Sequence, residues 1–131
     1  MHKFLKQAVD EANKSNFRQK VGAIIFNKNR IISRGYNDPE RSVKHINKKF
    51  QRWPGTVHAE VAAILKAKTD LKGFSILVVR VNSKNQLRLA KPCEWCSMYL
   101  DYVGIKKIYY SISEFPYIET LMTGENNYGR Q

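Results

Sequence analysis

Four residues in two short segments have the types and spacing of a catalytic metal site. His58 and Glu60 belong to the segment His-Ala-Glu, and Cys93 and Cys96 belong to the segment Pro-Cys-Glu-Trp-Cys. One imidazole and two thiolates form a three-ligand set for Zn²⁺, and three protein ligands leave the fourth position open to water, as in catalytic zinc sites. The sequence therefore predicts a zinc ion bound by His58, Cys93 and Cys96.

Glu60 lies two positions after His58 and can reach a metal-bound water without being a ligand. Zinc lowers the pKa of such a water from about 15.7 to about 7, and a nearby carboxylate can carry the released proton. We therefore expect Glu60 to be the catalytic proton carrier. A single histidine is often a core residue, and a Cys-x-x-Cys pair can be redox-active, but their combination with Glu60 favours a metal site.

The chain contains only these two cysteines, which excludes the disulfide framework of a small secreted protein. Each metal-binding segment opens a predicted helix, and the partial positive charge of a helix N-terminus favours a thiolate at Cys93. Pro92 fits the entry to the second helix, where its missing N–H costs nothing.

Five segments follow the order found in one enzyme superfamily: residues 20–25, 34–37, 56–60, 92–96 and 104–110. On these segments the chain resembles the zinc-dependent cytidine and deoxycytidylate deaminases, whose signature is His-x-Glu followed by Pro-Cys-x-x-Cys. The resemblance covers roughly residues 3 to 112. The Gly-Tyr-Asn and Gly-Ile-Lys-Lys segments are most similar to deoxycytidylate deaminases, including those of phages. The resemblance implies hydrolysis of dCMP to dUMP and ammonia, with Zn²⁺ as cofactor.

The resemblance also implies substrate-binding roles. The amide of Asn37 would bind the sugar or base, although an Asn before Asp-Pro is also an ordinary turn residue. The backbone N–H groups of Ala59 and Cys93 would hold the carbonyl oxygen of the base. Trp95 could stack on the base or pack in the core, and the residue types leave both readings open.

The hydrophobic patterns predict the elements that carry these residues. The expected order is helix, hairpin, helix, strand, helix and strand, at residues 2–14, 20–26 with 30–36, 58–68, 75–81, 93–103 and 105–112. Thr56 is expected to cap the second helix, Gly104 to end the third, and a short helix to follow Glu114. This order is that of a three-layer α/β/α sandwich. The resemblance implies a mixed sheet of about five strands, so one more strand is expected at 87–90 or near Glu114.

The length predicts a single domain over residues 1–131, with an ordered core at roughly 3–122. No apolar run approaches the roughly 20 residues of a membrane helix, and the first residues lack a secretory signal pattern. We therefore expect no membrane partner and a cytoplasmic location, or the host cytoplasm for a viral protein.

The chain carries 23 Lys plus Arg against 11 Asp plus Glu, a net charge of +12. Residues 41–59 contain no acid, and five cations lie close together there: Arg41, Lys44, Lys48, Lys49 and Arg52. Such a segment is either a solvated loop or a contact for an anionic partner. A nucleotide is the favoured substrate. A deaminase of cytosine in single-stranded DNA or of adenosine in tRNA is the alternative.

A third reading, from a different class, is a non-catalytic zinc-containing binding domain. It is disfavoured because three ligands leave the metal open and because Glu60 would then have no task. Assembly into a homo-oligomer is open at this level.

The salt dependence of binding distinguishes a nucleotide substrate from a polynucleotide substrate. Replacing Lys48 and Lys49 by Ala should change the apparent affinity for dCMP only modestly, because one phosphate meets at most about two cations. A single-stranded polymer would instead lose affinity with a log–log salt slope of about 0.7 per contacted phosphate, and the double variant would flatten it by about one to two units. Affinities measured across a salt series test this, and a steep slope with conversion of the polymer would contradict the nucleotide reading.

Overall fold

The computed structural model describes residues 2–37 and 58–123. It contains three helices and six strands in these ranges. The helices are α1 (Leu5–Ala12), α2 (Ala59–Ala67) and α3 (Glu94–Tyr102); the strands are β1 (Lys20–Asn27), β2 (Arg30–Tyr36), β3 (Ser75–Val81), β4 (Leu87–Arg88), β5 (Lys107–Ser111) and β6 (Ile118–Met122).

The strands form one mixed sheet with the order β2-β1-β3-β5-β6, and β4 pairs with the end of β3. β1 is antiparallel to both β2 and β3, whereas β3 and β5 are parallel and are joined through α3. Parallel neighbours require such a crossover. The predicted hairpin, the central strand at 75–81 and the α3 crossover are therefore confirmed.

Helices cover both faces of the sheet. Along β3 successive side chains alternate between the faces: Leu77 and Val79 pack with α1, while Ile76 and Val78 pack with residues of α2 and α3. The near-continuous apolar run of this strand is explained because both of its faces are buried. The predicted three-layer arrangement is confirmed.

Two glycines allow the helices to approach the sheet closely. A Cβ on Gly22 would overlap the carbonyl oxygen of Ala8 and would lie 2.5 Å from the amide nitrogen of Ala12, both in the α1 segment. A Cβ on Gly35 would overlap the amide nitrogen of Ala63 and would lie 2.5 Å from the carbonyl oxygen of Ala59. Gly35 therefore sets the position of α2 against β2.

The end of α3 agrees with the prediction for Gly104, which has a φ of +94°. Its N–H donates to Asp101 O at 3.1 Å, and the N–H of Ile105 donates to Leu100 O at 3.0 Å. These two bonds are the Schellman pattern that ends many helices at a glycine.

The expected short helix after Glu114 was wrong, whereas the expected additional strand was confirmed. The chain after Glu114 forms the strand β6 rather than a helix, because its backbone pairs with β5, from Lys107↔Met122 to Ser111↔Ile118. Both of the regions considered for an additional strand form one, which gives six strands rather than about five.

The cap expected for α2 was also wrong. The N-cap of α2 is His58 and carries no side-chain cap bond, while Thr56 lies outside the described residues. The cationic segment at 41–52 lies outside them too. In the described part of the chain, no helix is both long and apolar enough to cross a membrane.

Replacing Gly22 or Gly35 by alanine is expected to affect the predicted metal site differently. Gly35→Ala and Gly22→Ala should each lower the free energy of unfolding by about 1–3 kcal/mol or more, because backbone atoms must move to admit the methyl group. Only Gly35→Ala should also weaken metal binding, since it displaces α2, which His58 precedes. Urea unfolding and zinc titration of both variants test this, and equal zinc affinities would contradict it.

Candidate active site and metal centre

The first turns of two helices bring distant residues together. His58 is the N-cap of α2 and Cys93 is the N-cap of α3. The Cys93 thiol accepts a bond from the Cys96 N–H at 3.4 Å, which holds the two cysteines on one turn. Ser33 of β2 donates to Ala63 O at 2.7 Å and fixes α2 to the sheet. Side chains 35 positions apart in the sequence therefore meet at one edge of the core.

The potential ligand atoms of His58, Cys93 and Cys96 all lie within 4.8 Å of one another. Cys96 Sγ is 3.3 Å from His58 Nδ1. Tetrahedral zinc with Zn–S bonds near 2.3 Å and Zn–N bonds near 2.0–2.1 Å requires donor separations of roughly 3.5–3.8 Å. The donor set therefore fits zinc in both chemistry and spacing, after only small adjustments.

Hydrogen bonds among the three predicted ligand residues shift their pKa values. Hydrogen bonding from Cys96, and then from His58, lowers the pKa of Cys93 to about 4, so this thiol is ionised at neutral pH. The bond to Cys93 raises the pKa of His58, against the effect of burial. The pKa of Cys96 is raised well above its usual value by its bond to Cys93 and by burial. A cation bound here takes the place of these protons, as ligands must be deprotonated to bind metal.

Glu60 lies one residue into α2 and is only 5% exposed. Burial raises the pKa of its carboxyl group, and the nearby His58 opposes this shift. A carboxyl group that holds its proton more readily than usual is suited to proton transfer near neutral pH. Its position beside the ligand set and its burial agree with the role expected from the sequence.

A cavity of about 440 Å³ adjoins the ligand set. Its volume lies in the range of small-molecule sites. Five of the residues singled out from the sequence line it: Asn37, His58, Ala59, Glu60 and Cys93. The structure therefore brings two of the three predicted ligands, the predicted proton carrier and two predicted substrate contacts to the wall of one cavity.

Asn37 also has a structural role at the wall of the cavity. Its Oδ1 accepts from the Val21 N–H at 2.9 Å, and its Nδ2 donates to the Gln19 carbonyl at 2.9 Å. These bonds fix the start of β1 beside the end of β2. One amide hydrogen and one lone pair are left, so contact with a substrate stays a prediction.

Trp95 packs between the two site helices. It is half-buried against a cluster that contains Val61, Ala62, Cys96 and Tyr99. Among the described residues, those that line the cavity do not include Trp95. Core packing is therefore observed, and stacking on a base stays a prediction.

Among the polar residues that line the cavity, sequence reasoning missed three, namely Gln19, Arg80 and Lys91. Arg80 had a detectable signal, because it is the one charged residue within the apolar run 75–81. A charge in a strand that is otherwise buried marks a position where a polar group is needed. Gln19 and Lys91 had no comparable signal.

Comparison with known protein families gives an independent assignment. Residues 1–112 match the model of the cytidine and deoxycytidylate deaminase zinc-binding region. An uncharacterized deaminase in the luxG 3′ region of Aliivibrio fischeri is 34% identical over 100 residues, which cover 68% of this chain. The chain spans 56% of the length of that relative.

Solved structures agree on the fold. The dCMP deaminase of cyanophage S-TIM5 has a TM-score of 0.61 and 28% identity, covering 83% of this chain and 79% of that one. The same phage enzyme has been solved in complex with dCMP and dUMP. A cytidine deaminase from Burkholderia pseudomallei has a TM-score of 0.61 at 19% identity, covering 95% and 94% of the two chains, and this likeness extends to the fold alone.

The ligand set predicts the metal content. The purified chain should hold about one zinc, and Cys93→Ser should lose it, because three ligands are the minimum for a catalytic zinc site. Glu94→Gln alters the exposed neighbouring residue, which is not in the ligand set, and should retain the metal. Elemental analysis of the three proteins tests this, and full zinc content in Cys93→Ser would contradict the ligand assignment.

Proposed function

Because this chain belongs to the cytidine and deoxycytidylate deaminase family, we propose that it hydrolyses the exocyclic amine of a cytosine nucleotide, converting dCMP to dUMP and ammonia. The observation that carries the proposal is the convergence of the ligand atoms of His58, Cys93 and Cys96 within 4.8 Å, beside a cavity lined by the buried Glu60. The cyanophage dCMP deaminase, at 28% identity, favours the nucleotide among cytosine substrates.

The residues of this chain have separate tasks in the reaction. His58, Cys93 and Cys96 hold zinc, which when bound supplies the Lewis acid that makes water nucleophilic at neutral pH. The Glu60 carboxylate accepts a proton from the attacking water and delivers it to the ring nitrogen N3. The oxygen of the water bonds to C4, and the second proton of the water passes to the exocyclic amine. The bond between C4 and the exocyclic nitrogen then breaks and releases ammonia.

The remaining groups orient the base. The backbone N–H groups of Ala59 and Cys93, at the starts of α2 and α3, would donate hydrogen bonds to the carbonyl oxygen of cytosine. N–H groups of a first helical turn have no partner within the helix, so they are available to an acceptor. Asn37 would contact the sugar with its remaining amide hydrogen.

A polynucleotide deaminase is the second candidate. The net charge of +12 favours it, because a polymer can neutralise many cations whereas dCMP neutralises one or two. The same three ligands and Glu60 would perform the chemistry, so the two candidates differ only in what binds around the site.

Glu60→Gln should retain zinc and lower turnover by roughly a hundredfold to ten-thousandfold, because the amide cannot move the proton. Glu94→Gln is the matched control, since it makes the same change in an exposed carboxylate of α3, and it should keep wild-type turnover. Ammonia release and base conversion should be followed with dCMP, dCTP, cytidine, single-stranded DNA and tRNA side by side. Glu60→Gln within twofold of the wild type would remove Glu60 from this role, and conversion of a polymer alone would select the second candidate.

A further inference from the structure

A second cavity of about 240 Å³ lies beside the catalytic cavity. Three arginines line it: Arg18 before β1, Arg80 near the end of β3, and Arg88 at the end of β4. Gln19 and Arg80 line both cavities. A group bound among the arginines would therefore be adjacent to a base bound at the metal centre.

Two of these arginines are direct cross-strand partners. Arg80 of β3 pairs with Arg88 of β4 in the antiparallel register. Directly opposed side chains have Cβ atoms only about 4.5–5.5 Å apart, and like charges at such positions are destabilising. A β3–β4 hairpin that keeps two cations at this position is therefore suited to an anion that binds both.

The positive charge of this cluster is not compensated within the described ranges 2–37 and 58–123. The ion pairs there are Lys6–Asp10 and Lys14–Glu11, neither of which includes these arginines. The guanidinium group of Arg88 donates to the Leu87 carbonyl at 3.2 Å and to Gln86 Oε1 at 3.3 Å, and both acceptors are neutral. No described acidic residue lines this cavity.

The backbone that carries the pair is held in place by hydrogen bonds. The hydroxyl of Ser111, which is fully buried, accepts from the Arg80 N–H at 3.0 Å and donates to the Arg88 carbonyl at 2.6 Å. In the connecting turn, Asn82 Oδ1 accepts from the N–H groups of Lys84 and Gln86, each at 2.9 Å. The backbone that carries both arginines is therefore ordered before an anion binds, which reduces the entropy lost on binding.

We propose that Arg18, Arg80 and Arg88 form the phosphate subsite of the nucleotide whose base lies at the metal centre. Guanidinium groups match phosphate oxygens in paired hydrogen bonds. The three arginines converge on one cavity, which fits the phosphate of a single nucleotide, whereas a groove that follows a strand spreads its cations along the backbone. This assignment rests on the proposed function and places phosphate recognition outside the cationic segment at 41–52.

The test is equilibrium binding of dUMP and of deoxyuridine to the zinc-loaded full chain. The wild type should bind dUMP more tightly, and Arg88→Gln and Arg80→Gln should each weaken dUMP binding by roughly tenfold to a hundredfold, as expected for the loss of charge-assisted hydrogen bonds. The preference for dUMP over deoxyuridine should fall accordingly. Arg30→Gln removes an exposed arginine of β2 that lines neither cavity, and it should keep the wild-type preference.

Thermal unfolding gives a second test, because an arginine with only a structural role would not produce the two changes expected here. Arg88→Gln should raise the unfolding temperature in phosphate-free buffer, because it removes one of two opposed like charges. The same variant should gain less stabilisation than the wild type from added inorganic phosphate. A variant that is less stable without phosphate and equally stabilised by it would overturn the proposal.

The two hypotheses can fail separately. If dCMP is deaminated but Arg88→Gln keeps the preference for dUMP, the subsite is wrong and the proposed function stands. If dCMP is not deaminated but inorganic phosphate stabilises the wild type more than Arg88→Gln, the arginines bind phosphate, whereas the proposed function and the assignment to its nucleotide fail. If Arg88→Gln weakens a single-stranded oligonucleotide but not dUMP, the assignment to a mononucleotide is overturned.

Discussion

The meeting of the first turns of α2 and α3 at one edge of the sheet is the constraint on which the site depends. His58 and Cys93 are each the residue at which a helix begins, so the position of each helix sets the position of a ligand. Gly35 lets α2 lie directly on β2, and the parallel pairing of β3 with β5 requires α3 to cross between them. The spacing of the donor atoms thus follows from how the helices pack on the sheet.

The same arrangement creates two different electrostatic environments, at the starts of α2 and α3. Cys93 is exposed at a helix start and is ionised at neutral pH, whereas Glu60 is buried and its pKa is raised. A thiolate suits the binding of a cation, and a carboxyl group that holds its proton more readily suits proton transfer. The start of α2 therefore carries His58, a predicted ligand, and Glu60, the proposed proton carrier, two residues apart.

Substrate recognition depends on a different part of the fold. The proposed phosphate contact lies on the β3–β4 hairpin, where the cross-strand partners Arg80 and Arg88 line a cavity next to the catalytic one. Ser111 at the end of β5 ties both arginines to the sheet that supports the metal centre. The predicted metal centre and the proposed phosphate contact are therefore supported by the same sheet.

Sequence alone predicted the zinc ligand set, the hairpin, the central strand and the layer order, because these follow from residue chemistry and from local periodicity. It also proposed Glu60 as the proton carrier, and this role stays a prediction. For the chain after Glu114 it offered both a short helix and an additional strand, and it did not predict the N-cap at His58 or the place of Arg80 in the cavity wall. The pairing of β6 with β5, and of Arg80 with Arg88, joins segments whose contacts leave little trace in the local pattern of either. The amide of Asn37 shows the same limit, since its bonds to Gln19 and Val21 form only once β1 and β2 lie side by side. Residue types and spacing therefore indicated the ligand residues, whereas pairing between distant strands placed the other residues around the cavity.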